Sequence, residues 1–337
     1  MRTSHVTNTQ GYRRRMDAKQ RRSKSEKLPL PERPPEAPVA QPQEPFFIEI
    51  DRLRQQERRN VEAQLEVIRK ERIRELQRLR GNSKLIVYYS FELLDFTDAQ
   101  YFYEMLVSLG DIDNLDLFLL SPGGFSDPAF KIARLCQEVT KGGKFSVLIP
   151  YYAKSAATML ALGADELVLG PPSELGPIDP QIKLPSQDRQ VPLHALRDAL
   201  GYVEGRVVEN PELAALYWPL IQTLDLMSLG DYDREIQSAE QYAQNLLCQR
   251  MFKDNPEQAE KVAKKLTREY KRHNYVVDRR EAHEELKLNV IDAPPDVWKA
   301  MWQLHNLYDR LLRDTLAVAA AKIFETLTVL LRPSISG

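Results

Sequence analysis

Cysteine is almost missing: the 337-residue chain holds two, Cys136 and Cys248, both in helix-like apolar stretches. Two such residues build neither a disulfide framework nor a metal-ligand spacing, and their use suits a reducing compartment. Long apolar runs are missing too. The nearest approach, Leu316 to Leu331, contains Lys322 and Glu325 and reads as an amphipathic helix rather than a span. The amino terminus lacks the apolar core of a secretory signal. No phosphate-binding glycine loop with an attached lysine occurs, so the chain is not expected to bind ATP. These absences point to a soluble, cytoplasmic protein.

Net charge is nearly absent as well, at −1, but the balance hides an asymmetry. The first thirty residues carry Arg2, Arg13, Arg14, Arg15, Lys19, Arg21, Arg22, Lys24 and Lys27 against Asp17 and Glu26, which leaves the remainder mildly acidic. Residues 1–45, basic and then proline-rich (LPLPERPPEAPVAQPQEP), are expected to be a disordered tail. Its basic part, residues 1–30, could contact nucleic acid or an acidic membrane surface as a peripheral association; a solvated tail is the plainer reading. Residues 46–81 are highly charged, with Val61, Leu65, Ile68, Arg72, Leu76 and Leu79 at spacings of three and four. That thin stripe predicts an amphipathic helical arm needing a neighbour, either the following domain or another subunit.

Beyond residue 81 the chain can build a real core, since 43% of the whole is hydrophobic. Strand-like runs (Lys84 to Ser90, Leu115 to Leu120, Phe145 to Ile149, Glu166 to Leu169) alternate with helix-like ones (Thr97 to Leu109, Pro128 to Val139, Ser155 to Gly163). Thr97 is the expected cap of the first helix and Gly110 its stop. Alternation of this kind implies right-handed crossovers and a parallel sheet in an α/β fold. From Pro192 onward the pattern is mainly helical, with a strand-like break at Tyr275 to Val277.

Ligand sites of parallel α/β sheets lie outside the carboxyl ends of the strands, and two loops there are unusual. Ser121-Pro-Gly-Gly124 comes directly after LDLFLL, and glycines let backbone N–H groups point out of a turn; a simple strand-to-helix turn is the alternative. IPYYAKSAAT places Lys154 and Ser155 at the mouth of a small-residue helix. Ser155 there is either a helix cap or a nucleophile, with the N–H groups of Ala156 and Gly124 facing a developing oxyanion.

In order along the chain stand SPGG, YAKSAAT, ADE and LGPIDPQ. In these four motifs the chain resembles the serine dehydrogenase proteinase family, Clp-fold, crotonase-like serine peptidases related to the Clp protease proteolytic subunit and signal peptide peptidase A. The likeness runs from about Lys84 to Asp292. It implies a ββα spiral over residues 82–292, with residues 293–337 as a C-terminal helical extension. It also implies a serine peptidase acting on a peptide or protein substrate with no cofactor and no metal, assembled as a homo-oligomer.

By this resemblance Ser155 is the nucleophile, and Gly124 and Ala156, with Gly123 beside them, form the oxyanion hole. Where the Clp subunit has first a histidine and later an aspartate, this sequence has Asp179 and then His273. The expectation is a Ser155–His273–Asp179 triad in exchanged order, since triads are defined by geometry. A lysine base, as in signal peptide peptidase A, is the competitor: Lys183, or less favourably Lys154, either of which would need desolvation. The chain departs from the family turn in having Tyr151 where histidine is frequent and Lys154 where methionine is. That substitution keeps a catalytically silent scaffold in play; a crotonase-like acyl-CoA enzyme is the more distant alternative. His194, His283 and His305 fall in polar helix-like contexts, and Trp218, Trp298 and Trp302 read as packing residues.

Overall fold

A computed structural model describes residues 46–110, 112–183, 190–222, 226–315 and 322–325. The tail expected over 1–45 lies outside them, as does most of 316–337. The chain divides into two units, Met1–Glu57 and Arg58–Gly337. The first contributes the opening turns of helix α1 (Phe46–Leu79); the second holds all the rest.

Strands β1 (Lys84–Ser90), β2 (Asn114–Leu120) and β3 (Lys144–Ile149) are joined by helices α2 (Phe96–Leu109) and α3 (Ser126–Val139). After β3 come the short strand β4 (Tyr152–Ala153), helix α4 (Ala156–Ala161), β5 (Glu166–Leu169), β6 (Glu174–Leu175), β7 (Gln181–Lys183) and β8 (Gln190–Pro192). Next are the helices α5 (Leu193–Glu209), α6 (Leu213–Ile221), α7 (Leu226–Gln249) and α8 (Pro256–Lys264), α8 running into a π-helical turn at Lys265–Glu269. Then β9 (Val277–Asp278), α9 (Arg279–Glu284), β10 (Val290–Asp292), α10 (Pro295–Thr315) and β11 (Lys322–Glu325) complete the order.

The main sheet runs β10-β5-β3-β2-β1-β11; its first five strands are parallel and β11 is antiparallel to β1. The four strand-like runs between Lys84 and Leu169 are all strands of this sheet. Both faces of the sheet are buried, so each strand sends alternate residues to opposite cores. Ile86, Tyr88, Leu117 and Val147 point to a core covered by α2, α3, α4, α7 and α8. Leu85, Val87, Tyr89 and Phe118 point to a second core closed by α10 and the end of α1.

Three expectations need correction. The cap of α2 is Asp95, not Thr97: the Asp95 carboxylate accepts from the N–H groups of Thr97 and Asp98, and Asp98 returns the bond to the Asp95 N–H. Lys322–Glu325, expected inside an amphipathic helix, is strand β11, because the free edge of β1 offers a ladder that helix propensity does not outweigh. Along α1 the predicted stripe is fully buried only at Leu76, where Ile73, outside the predicted set, is buried beside it, while Val61 and Ile68 stay exposed.

At the amino edge of the sheet Arg80 donates to Asp116 at 3.0 and 3.1 Å and to Glu166 at 2.9 Å. Ser83 and Ser146 add bonds to these carboxylates, and Lys144 pairs with Glu166. Burial alone would raise the Glu166 carboxyl, but its bonds from Lys144, Arg80 and Ser146 outweigh that and hold it below the usual range.

Candidate active site

The two unusual turns lie side by side at the carboxyl edge. Lys154 N–H donates to Ser121 O at 3.1 Å and Ser121 N–H to Tyr152 O at 3.4 Å, which bridges Ser121 to Ala153. Gly123 and Gly124 have φ of 99° and 155°. A Cβ on Gly123 would stand 2.7 Å from the Ser155 Cβ, and one on Gly124 would stand 2.2 Å from Leu94 O. The turn therefore requires both glycines, for conformation and for close approach. Gly123 N–H donates to Ser121 Oγ at 3.1 Å, so that donor is engaged. Leu94 N–H donates to Gly123 O at 2.7 Å and Phe125 N–H to Leu94 O at 2.9 Å, which leaves the Gly124 N–H outside the turn's own bonding. Ala156 opens α4, where the first N–H groups have no intrahelical acceptor. Among the described residues neither the Gly124 nor the Ala156 N–H has a partner.

Ser155 holds the N-cap position of α4, yet its side chain makes no capping bond. Its backbone is at φ 49°, ψ −121°, a conformation that favours glycine and costs about 1–3 kcal/mol for other residues. Surrounding bonds hold it there: Ala157 N–H to Lys154 O at 2.8 Å and Met159 N–H to Ser155 O at 3.1 Å. Thr158 Oγ1 donates to Ala153 O at 2.7 Å and accepts from Gly176 N–H at 3.0 Å. A sharp strand-to-helix turn of this kind lifts a serine hydroxyl clear of the main chain.

His273 Nδ1 lies 2.9 Å from Asp179 Oδ1, with the carboxylate buried and the imidazole largely so. A carboxylate only accepts, so Nδ1 carries the proton and Nε2 is left as the acceptor. Local structure brings the pair together across 94 residues. The LGPIDPQ segment leaves β6, which pairs with β4 on one side and with β9 on the other. Ile178 N–H then donates to Leu266 O, inside the π-helical turn, at 2.9 Å. The chain turns extended at Tyr270 and carries His273 back toward β9.

Lys154 occupies the middle of this arrangement. Its ammonium meets Glu174 Oε1 at 2.8 Å, Leu175 O at 2.9 Å and Tyr275 O at 3.3 Å. Sequence reasoning had no signal for these ties, because Tyr275 is 121 residues away. Lys183 is on β7, its backbone paired with Gln190; its side chain lies outside the described residues. His283 is exposed. His305 is buried, not in a polar helical context: it bonds Tyr89 OH at 2.9 Å and packs against Tyr151, Trp302 and Tyr89 rings. Trp298 and Trp302 pack together as expected, whereas Trp218 is exposed. No cluster of His, Cys, Asp and Glu able to hold a metal occurs among the described residues. No described helix is long and apolar enough to cross a membrane.

Two uncharacterized proteins of Methanocaldococcus jannaschii are similar to this chain. One is 26% identical over 70% of this chain and 75% of its own length, the other 29% over 56% and 57%. Among solved structures, a variant of the 1510-N membrane-bound stomatin-specific protease has a TM-score of 0.40 at 12% identity, covering 71% of this chain and 88% of that one. ClpP1 of Listeria monocytogenes has a TM-score of 0.36 at 14% identity, covering 63% and 94%. The family model described as ClpP-like SDH-type serine proteinase matches residues 47–196, the stretch that carries both turns and Asp179. Over that stretch, somewhat less than half of its length, the chain is similar to the ClpP-like SDH-type serine proteinases.

Proposed function

We propose that the protein is a serine peptidase that hydrolyses peptide bonds through an acyl-enzyme on Ser155, with His273 as general base and Asp179 orienting it. The observation that carries this reading is the Nδ1–Oδ1 bond between His273 and Asp179, which leaves Nε2 free to take a proton. Ser155 Oγ attacks the scissile carbonyl carbon as its proton passes to His273 Nε2. The oxyanion draws on the N–H groups of Gly124 and Ala156, the two donors their surroundings leave unused. Collapse of the tetrahedral adduct breaks the C–N bond, and the leaving amine takes the proton from His273. Water then attacks the ester, giving its proton to His273, and the acid leaves as Ser155 recovers its own.

Lys154 has a different role in this reading. An ammonium has three N–H donors, and three acceptors surround this one, so no lone pair is offered to Ser155. Lys154 is a positioning residue that ties the serine turn to β6 and to the segment holding His273. Self-association is part of the proposal, favoured by Val61, Val67 and Ile68 standing exposed on α1.

The test is intact-mass labelling with a fluorophosphonate. One adduct is expected on the native chain, none on Ser155→Ala, and labelling slowed on the order of a thousandfold in His273→Ala. Unslowed labelling in His273→Ala would move the base to a lysine. A folded native sample that takes no adduct would make the protein a silent scaffold.

A further inference from the structure

The surface leading away from the SPGG turn has two properties at once. Leu93, Phe96, Tyr103, Val107 and Phe125 are each between 53% and 62% exposed. Three of them form one line on α2: Tyr103 and Val107 stand seven and eleven residues after Phe96, close to whole helical turns. The other two flank the bridge between Leu94 and Gly124 and so adjoin the candidate oxyanion donor directly. An apolar strip on this scale beside a site marks an interaction surface rather than scattered exposure.

The charge carried by this stretch of chain itself is one-sided. No lysine, arginine or histidine occurs between Lys84 and Lys131. Glu92, Glu104 and Asp127 are exposed in the same region. We propose that this strip is a binding surface for the substrate polypeptide, and that it selects segments in which apolar side chains are interspersed with lysine or arginine. The apolar side chains lie on Phe96, Tyr103, Val107 and Phe125, and the cations face the acidic rim. The strip thus holds a stretch of chain beyond the bond to be cut. This inference rests on the reading of Ser155 as the nucleophile of a peptidase, since that is what makes the neighbouring occupant a substrate.

The test is binding to the full chain carrying Ser155→Ala, which needs no turnover. The probes are a fluorescent Gly/Ser-rich peptide bearing leucines and lysines, a counterpart with glutamate for lysine, and one with serine for leucine. The first peptide is expected to bind about tenfold tighter than either counterpart, with the preference over glutamate shrinking as salt rises. Tyr103→Ser with Val107→Ser should weaken it about tenfold, and Glu104→Lys severalfold. Both variants, made on the native serine, should take the fluorophosphonate at the native rate. Equal binding of the lysine and glutamate peptides would overturn the proposal. So would unchanged binding in the double variant, or a double variant that sediments as a smaller species, which would give the strip to a second copy. Absence of a Ser155 adduct defeats the nucleophile assignment alone and leaves the binding comparison readable.

Discussion

The two ends of the parallel strands handle buried charge in opposite ways. At the amino edge, Arg80, Lys144, Asp116 and Glu166 form a closed network in which each carboxylate has a cation and a serine hydroxyl. At the carboxyl edge, a histidine is matched to one carboxylate, two N–H groups have no described acceptor, and a serine sits in a strained conformation with its hydroxyl outside the helix cap. The first end is satisfied and the second is poised. Satisfied networks give stability and register, whereas unspent donors and strain are what a reacting group can use.

Substitutions at the two ends should therefore show up in different measurements. The largest effect is expected from His273→Ala at the poised end. With His273 as the proposed base, its loss should slow labelling on the order of a thousandfold, equivalent to about 4 kcal/mol of barrier, which exceeds the stability lost with its bond to the buried Asp179. Arg80→Ala at the satisfied end should do the reverse. It leaves Asp116 without its cation and Glu166 with Lys144 alone, and should cost about 2–3 kcal/mol in denaturant unfolding, with the labelling rate of the folded protein unchanged. A large rate loss in Arg80→Ala would break the contrast.

Lys154→Met sharpens it, because Lys154 belongs to the poised end but has the bonding of the satisfied one. Labelling about tenfold slower, partly rescued by Lys154→Arg, is expected of a tie; complete loss with no rescue would make it a base. The smallest effect concerns pH. Burial holds the His305 imidazole below its ordinary pKa, with Arg313 adding to that and Asp309 opposing it. The neutral ring is thus the folded form, and its contribution to stability is present above the unfolded value of 6.5 and lost as pH falls toward the folded one. Unfolding midpoints should drop between pH 7 and 5, less steeply in His305→Phe.

Local signals made much of this legible. Strand runs with both faces buried read as continuous apolar segments, and Gly110 and the SPGG glycines mark turns that need positive φ. Ser155 was legible as lying at a helix mouth, but its φ of 49° was not, because alanine and lysine neighbours carry no trace of backbone strain. His273 and Asp179 were found only through the likeness to a family, since nothing local relates residues 94 positions apart. Lys154's partners, the π-helical turn and β11 escaped for a related reason. Each depends on what tertiary packing brings alongside, and propensity is a weak guide there.

Strand β11 has one more consequence. β1 is apolar along nearly its whole length, and its outer edge would present a row of unpaired amide and carbonyl groups. β11 covers that row from Val87 to Ser90, running antiparallel and so contributing no crossover of its own. A chain cut before Lys322 would keep all five parallel strands and every residue assigned to the chemistry, yet it would expose a sticky flank able to recruit strands from other molecules. Shortened forms would then fail by aggregating rather than by losing the Ser155 turn.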